Sequence, residues 1–301
     1  MENREAKAQD DAEGLRAFRP KHEYLIGIDS DGCVFDTMEV KQKRCLQPNI
    51  IKHWSLEAIA PYVYETAQFV NLYSQWRGTN RFPALAMTFD LLRERPEVQA
   101  SGVEVPELKS LKQWIQEETR LSNPTLEAKV AATGDPELAR VLRWSLEINR
   151  AISEVVQGVE PFAFVRESLE AAGAKADLIV VSQTPLEALQ REWKEHRLDG
   201  HVALIAGQEY GTKAEHLQYA ADGKYPKKHI LMIGDALGDR KAAEATGALF
   251  YPVLPGEESV SWERFYREGL ARFLEGRFAG AYQDALVWEF ESRLPSVPPW
   301  A

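Results

Sequence analysis

Tyr24-Leu25-Ile26-Gly27-Ile28-Asp29-Ser30-Asp31-Gly32 is the stretch that decides the fold. A short apolar run without polar alternation fits a strand buried on both faces of a parallel sheet. Asp29 and Asp31 lie two residues apart at the exit of that strand, so their side chains start on the same side. Two close carboxylates resist joint ionisation unless a cation or a proton sits between them. A hard cation such as Mg²⁺ suits an all-oxygen site. Gly32 allows a sharp turn directly after the pair.

Four further runs of the same kind follow: Leu178–Val181, Val202–Ala206, Ile230–Ile233 and Leu249–Val253. Amphipathic stretches separate them, at Leu186–His196, Ala214–Ala221 and Arg240–Thr246. Strands alternating with helices predict an α/β core, a Rossmann-like open parallel sheet. The interval from 38 to 157 does not fit one crossover. It reads as helix after helix, with Leu56–Trp76, Ala84–Arg95, Pro106–Thr119 and Pro136–Val156 the clearest, and its length of about 120 residues is that of a domain. The expected organisation is a polar lead-in over 1–22 and an α/β core over 23–37 and 158–256. An inserted all-helical cap covers 38–157, and a helical extension docked on the core covers 257–301. A helix over Pro161–Ala172, stopped by Gly173, leads back into the sheet.

In open parallel sheets, ligands bind outside the carboxyl ends of the strands. The second strand ends in Ser182-Gln183-Thr184, and the fourth in Gly234-Asp235, continuing to Asp239. Asp235 and Asp239 therefore join Asp29 and Asp31 at one edge and can complete a metal site. Thr184-Pro185-Leu186-Glu187 reads as a capping box with proline at the first helical position. A helix N-terminus is an anion seat, where Ser182 and Gln183 can hold a phosphate. Thr212-Lys213-Ala214-Glu215 is a second capping box. It puts Lys213 in the first turn of a helix, where a cation opposes the macrodipole. A neighbouring negative group would offset that cost.

The bulk properties narrow the function. The chain has 301 residues, a net charge of −10, 45% hydrophobic and 27% charged residues. An acidic surface argues against nucleic-acid binding. No apolar run approaches the roughly 20 residues that span a bilayer. Two cysteines, Cys33 and Cys45, offer neither a disulfide framework nor metal-ligand spacing. They fit a reducing compartment, so the expected location is the cytoplasm.

Taken in order, these pieces resemble the haloacid dehalogenase superfamily of phosphohydrolases. The first motif is Asp29-Ser30-Asp31-Gly32-Cys33-Val34-Phe35-Asp36 after its strand. The second is Ser182, the third Lys213, and the fourth Gly234-Asp235-Ala236-Leu237-Gly238-Asp239. The resemblance covers residues 22–36 and 158–254, and the insert after the first motif resembles the helical cap of many members. It implies that Asp29 attacks phosphorus and forms an aspartyl-phosphate, with Asp31 as general acid and then base. It also implies Mg²⁺ on the Asp29 carboxylate, the Asp31 carbonyl and Asp235, with Asp239 supporting the metal or Lys213. Ser182 and Lys213 would hold the phosphoryl oxygens. The departure is Cys33, where many members have threonine.

The expected function is a Mg²⁺-dependent phosphatase acting on a small phosphorylated metabolite. A phosphomutase of the same superfamily, or a catalytically silent binding or scaffold protein on this fold, stays open. A dehalogenase would not need Asp31, and a phosphonate hydrolase would replace it. Within the insert, Arg77, Asn80 and Arg81 of the loop Trp76–Pro83 are candidates for substrate specificity. Trp54 and Trp114 read as cap core. The substrate and the oligomeric state are not legible in the sequence.

Overall fold

The computed structural model describes residues 12–301; the first eleven residues of the lead-in expected over 1–22 lie outside the described residues. Within the rest of that lead-in, Glu13–Ala17 is a short helix that buries Leu15. By chain contacts the protein divides into two compact units. The first comprises the chain up to Thr37 with Gly158–Arg293, and the second comprises Met38–Gln157 with Leu294–Ala301.

The first unit is built on a parallel sheet of five strands among the described residues: β1 (Leu25–Ile28), β2 (Asp177–Val181), β3 (Leu204–Ala206), β4 (Ile230–Gly234) and β5 (Leu249–Pro252). Every residue of β1, β2 and β4 is buried, which explains their apolar sequences, broken only by Asp177 at the head of β2. The spatial order is β3-β2-β1-β4-β5. The chain winds outward from β1 to β3, then crosses back to β4, so the winding reverses between β1 and β4. Their register sets Ile28 beside Ile233. Asp29 and Asp235 therefore leave the sheet side by side, at the crevice where open α/β sheets take their ligands.

Three helices return the chain between strands: Leu186–Glu195, Lys213–Ala221 and Leu237–Thr246. The last begins three residues earlier than the apolar periodicity suggests, because Asp239 caps its start. The helix expected over Pro161–Ala172 runs instead over Val165–Gly173. Before it, Pro161 bridges to Phe35 and Phe162 N–H donates to Val34 O at 2.9 Å, and a turn with Phe164 at φ 68° leads into the helix. Gly173 belongs to the helix and is not its left-handed stop. Three helical stretches over 258–274 and the helix Ala281–Ser292 cover the sheet. Trp262, Phe265, Phe273 and Phe278 lie in one apolar cluster with Ile28, Val180 and Ile233.

The second unit is built from helices, with no strand among its described residues. Besides Ala60–Leu72, Arg81–Glu94, Lys109–Glu117 and Pro136–Val155, it contains Pro96–Ser101 and Asn123–Thr133. It also contains a run from Lys41 to Trp54 whose first turns, Lys41–Leu46, are π-helical. The helix expected to reach Trp76 stops at Leu72. Trp54 packs edge-on against Phe89 and Trp144, with centroids 5.1 and 6.0 Å away, and Trp114 packs on Phe82 at 5.1 Å. The segment Leu294–Ala301 corrects the expected extension 257–301, since it groups with this unit and not with the core. Its anchors are Trp300, stacked 4.3 Å from the Arg95 guanidinium, and the Pro295 carbonyl, which accepts from Gln75 N–H at 3.3 Å. Among the described residues no helix is long and apolar enough to cross a membrane.

Candidate active site

At the carboxyl end of the sheet, the Asp29, Asp235 and Asp239 carboxylates are buried, with oxygens within 4.8 Å of one another. β1 delivers Asp29 and β4 delivers Asp235. Asp239 returns to the strand end from the first turn of the next helix, where its Oδ2 accepts from Ala236 N–H at 3.0 Å. Gly234 makes that return possible, because a Cβ there would lie 2.3 Å from the Asp239 carboxyl carbon. Gly32, at φ 76°, turns the chain after Asp31.

Lys213 lies between two of these carboxylates. Its ammonium donates to Asp29 Oδ2 at 2.8 Å and to Asp239 Oδ1 at 2.6 Å. Thr212 and Glu215 form the expected capping box, with Thr212 N–H donating to the Glu215 carboxylate at 2.7 Å. This cap fixes the start of the helix and with it the root of the lysine. The electrostatics follow from crowding. Burial pushes the Asp29 carboxyl up to about 6 against the pull of Lys213, and the Asp239 charge adds to the rise. Burial also raises Asp239, again opposed by Lys213 and reinforced by Asp235. Burial works against the charge on Lys213, yet Asp239 and Asp29 together hold it above the ordinary lysine value. Three carboxylates against one ammonium leave a buried surplus of negative charge, which an all-oxygen donor set relieves by taking a hard divalent cation.

Asp31 is half-buried and held differently. Thr37 Oγ1 donates to its Oδ1 at 2.6 Å, and Thr184 Oγ1 donates to its Oδ2 at 2.6 Å. Between the aspartates, Ser30 is fully buried and accepts from the Trp193 indole N–H at 3.0 Å, which fixes the backbone at the strand exit. Ser182 is buried at the end of β2, and its Oγ accepts from Thr184 N–H at 3.2 Å, leaving its own proton for an acceptor. Gln183 is tied to the neighbouring loop, where its amide donates to Gly211 O at 2.8 Å.

The capping box expected at Thr184 does not form. The helix starts at Leu186 with no side-chain cap, its first N–H donates to Glu209 Oε2 at 3.0 Å, and the Thr184 hydroxyl donates to Asp31. Thr37 and Thr184 are thus the site residues the sequence reading missed. Thr37 follows the first motif directly, so its place six residues after Asp31 was the available signal. Cys33 is fully buried, and burial pushes its thiol well up, which removes it as a nucleophile.

The three residues expected to read substrate each hold the helical unit together. Arg77 is buried and donates to Leu72 O at 2.9 Å. Asn80 caps the helix Arg81–Glu94 by accepting from Phe82 N–H at 3.0 Å, and its amide donates to Leu121 O at 3.1 Å. Arg81 donates to Asn149 Oδ1 at 2.7 Å and to Ser145 O at 3.2 Å. Burial lowers its pKa to about 10, which still leaves it charged at neutral pH.

No family model and no curated protein matches the sequence. Among solved structures, the chain is similar to hydrolases of the haloacid dehalogenase class. A predicted phosphoglycolate phosphatase from Haemophilus somnus is 17% identical, with a TM-score of 0.46, over 77% of this chain and 86% of that one. A haloacid dehalogenase-like hydrolase from Streptococcus pneumoniae is 15% identical, with a TM-score of 0.45, over 80% and 90%. One from Xanthomonas campestris is 14% identical, with a TM-score of 0.42, over 85% and 95%.

Proposed function

We propose that the protein is a Mg²⁺-dependent phosphatase that hydrolyses a small organophosphate monoester through an aspartyl-phosphate on Asp29. The observation that carries this reading is the buried triad of Asp29, Asp235 and Asp239, with Lys213 bonded to two of its members. Asp29 and Asp235 would hold the cation together with the Asp31 main-chain carbonyl, and Asp239 would support it. When bound, Mg²⁺ supplies the positive charge that lets an ionised carboxylate meet a dianionic phosphate.

The chain's own residues account for the rest. An Asp29 oxygen attacks phosphorus, and the bond to the leaving oxygen breaks. Asp31 gives that oxygen its proton. The Ser182 hydroxyl and the Lys213 ammonium hold the phosphoryl oxygens throughout. Asp31, now ionised, takes a proton from water, which attacks phosphorus and returns Asp29 as a free carboxylate. The two buried free thiols, Cys33 and Cys45, favour a reducing compartment such as the cytoplasm.

The test is hydrolysis of 4-nitrophenyl phosphate with and without Mg²⁺. The reading expects Mg²⁺-dependent turnover that vanishes in Asp29→Asn. Undiminished turnover in that variant, or none by the wild type on a broad panel of phosphate esters, would overturn it.

A further inference from the structure

Asp31 differs from the other site carboxylates in having each oxygen bonded to its own threonine. Thr37 reaches Oδ1 from the end of the first motif. Thr184 reaches Oδ2 from the loop after β2, 153 residues along the chain. Thr184 makes no cap bond to the helix that starts at Leu186, whose first N–H donates to Glu209 Oε2. Thr184 is further fixed by its own N–H donating to Ser182 Oγ, so one short loop joins a phosphate-seat hydroxyl to the carboxyl of Asp31.

Each carboxyl oxygen has two lone-pair sites, so both threonines can keep donating when Asp31 is ionised and when another site carries the proton meant for the leaving oxygen. Two threonines can therefore serve Asp31 in both of its states. A group that must deliver a proton in one step and remove one in the next needs an orientation that survives the change. We infer that Thr184, with Thr37, is a positioning residue that holds the Asp31 carboxyl in line with the leaving oxygen through both half-reactions. The inference rests on the phosphatase reading, since it presumes that Asp31 works as the acid.

A positioning role is distinguishable from a structural one by the leaving group. 4-Nitrophenolate departs as an anion and scarcely needs a proton, whereas the leaving group of phenyl phosphate does. Hydrogen bonds to a charged group are each worth enough to predict a roughly 10- to 100-fold loss of kcat on phenyl phosphate in Thr184→Val. The loss on 4-nitrophenyl phosphate should be under about threefold, since little proton transfer is at stake there. Thr184→Ser restores the hydroxyl and should restore phenyl phosphate turnover. In an Asp31→Asn background Thr184→Val should add nothing. Thr37→Val reads the other oxygen in the same way should Thr184→Val fail to fold. Equal losses on both esters, or wild-type turnover of phenyl phosphate by both valine variants while Asp31→Asn is impaired, would overturn the inference. If the wild type hydrolyses neither ester, the phosphatase reading fails first and the inference falls with it.

Discussion

Two buried aspartates at opposite ends of the sheet have opposite electrostatics. Asp177 opens β2 and is 3% exposed; Asp29 follows β1 and is 4% exposed. Asp177 is fully served. It accepts from the N–H groups of Lys21 and His22 at 2.9 and 3.0 Å and from the Tyr225 hydroxyl at 2.7 Å. Burial opposes its charge, but the bonds from Tyr225, His22 and Lys21 outweigh that and hold its carboxyl below the ordinary range. Asp29 shares one ammonium with Asp239 in a crowd of carboxylates and is pushed up to about 6. Similar surface exposure thus goes with a carboxylate that helps hold the fold and with a more deeply desolvated one that the fold carries at a cost. Perturbation of the second kind, at the switch point of the sheet, is where chemistry is expected.

The largest effect should come from Asp29→Asn. Loss of a covalent nucleophile predicts a fall in kcat of at least about 10⁴-fold. The same variant should be more stable than the wild type in EDTA at neutral pH, by about 1–3 kcal/mol, because a disfavoured buried charge is gone. Urea unfolding checks this. A less stable variant would mean that Asp29 is structural, like Asp177.

Lys213→Ala comes next. It strands buried carboxylates without their cation, and should cost about 3–5 kcal/mol in EDTA. Mg²⁺ should return part of that loss in thermal unfolding. A variant indifferent to Mg²⁺ would separate Lys213 from the metal site.

Asp177→Asn should cost about 2 kcal/mol with kcat per folded molecule unchanged. The pH dependence separates the two aspartates by sign. The Asp177 carboxyl is depressed, so its contribution is present above the ordinary Asp value of 3.8 and is lost as pH falls through its folded value. The Asp29 carboxyl is raised from 3.8 to about 6, so its favourable contribution is present only below 3.8 and is lost as pH rises through about 6. The deficit of Asp177→Asn should therefore shrink in acid, and so should the gain of Asp29→Asn, the two converging on the wild type from opposite sides.

The smallest effect concerns the metal. Asp29 must lose its proton to serve as a ligand, so Mg²⁺ affinity should fall up to about tenfold per pH unit below about 6. Calorimetric titration measures this, and a flat profile would remove Asp29 from the ligand set.

The parts of the molecule that were legible in sequence are those whose cause is local. β1, β2 and β4 are buried on both faces, so their composition alone marks them. Asp29, Asp235 and Lys213 follow because strand ends and capping boxes are short-range patterns. Thr184 was misread because the Thr-Pro-Leu-Glu pattern satisfies the capping rule, while the partner of its hydroxyl, Asp31, is 153 residues away. Arg81 looked like a loop cation because its acceptors, Ser145 and Asn149, are 64 and 68 residues away. The tail Leu294–Ala301 was assigned to the core because nothing local reveals that Trp300 stacks on Arg95.

The central claim, that Asp29 carries the phosphoryl group, is tested most directly by acid-quenching the enzyme during turnover of 4-nitrophenyl phosphate with Mg²⁺ and mapping its peptides by mass spectrometry. The account predicts one hydroxylamine-labile phosphoryl group on the peptide containing Asp29, more abundant in Asp31→Asn, where breakdown lacks its base, and absent in Asp29→Asn. Phosphate release without protein-bound phosphoryl, or a phosphoryl group on another residue, would contradict it.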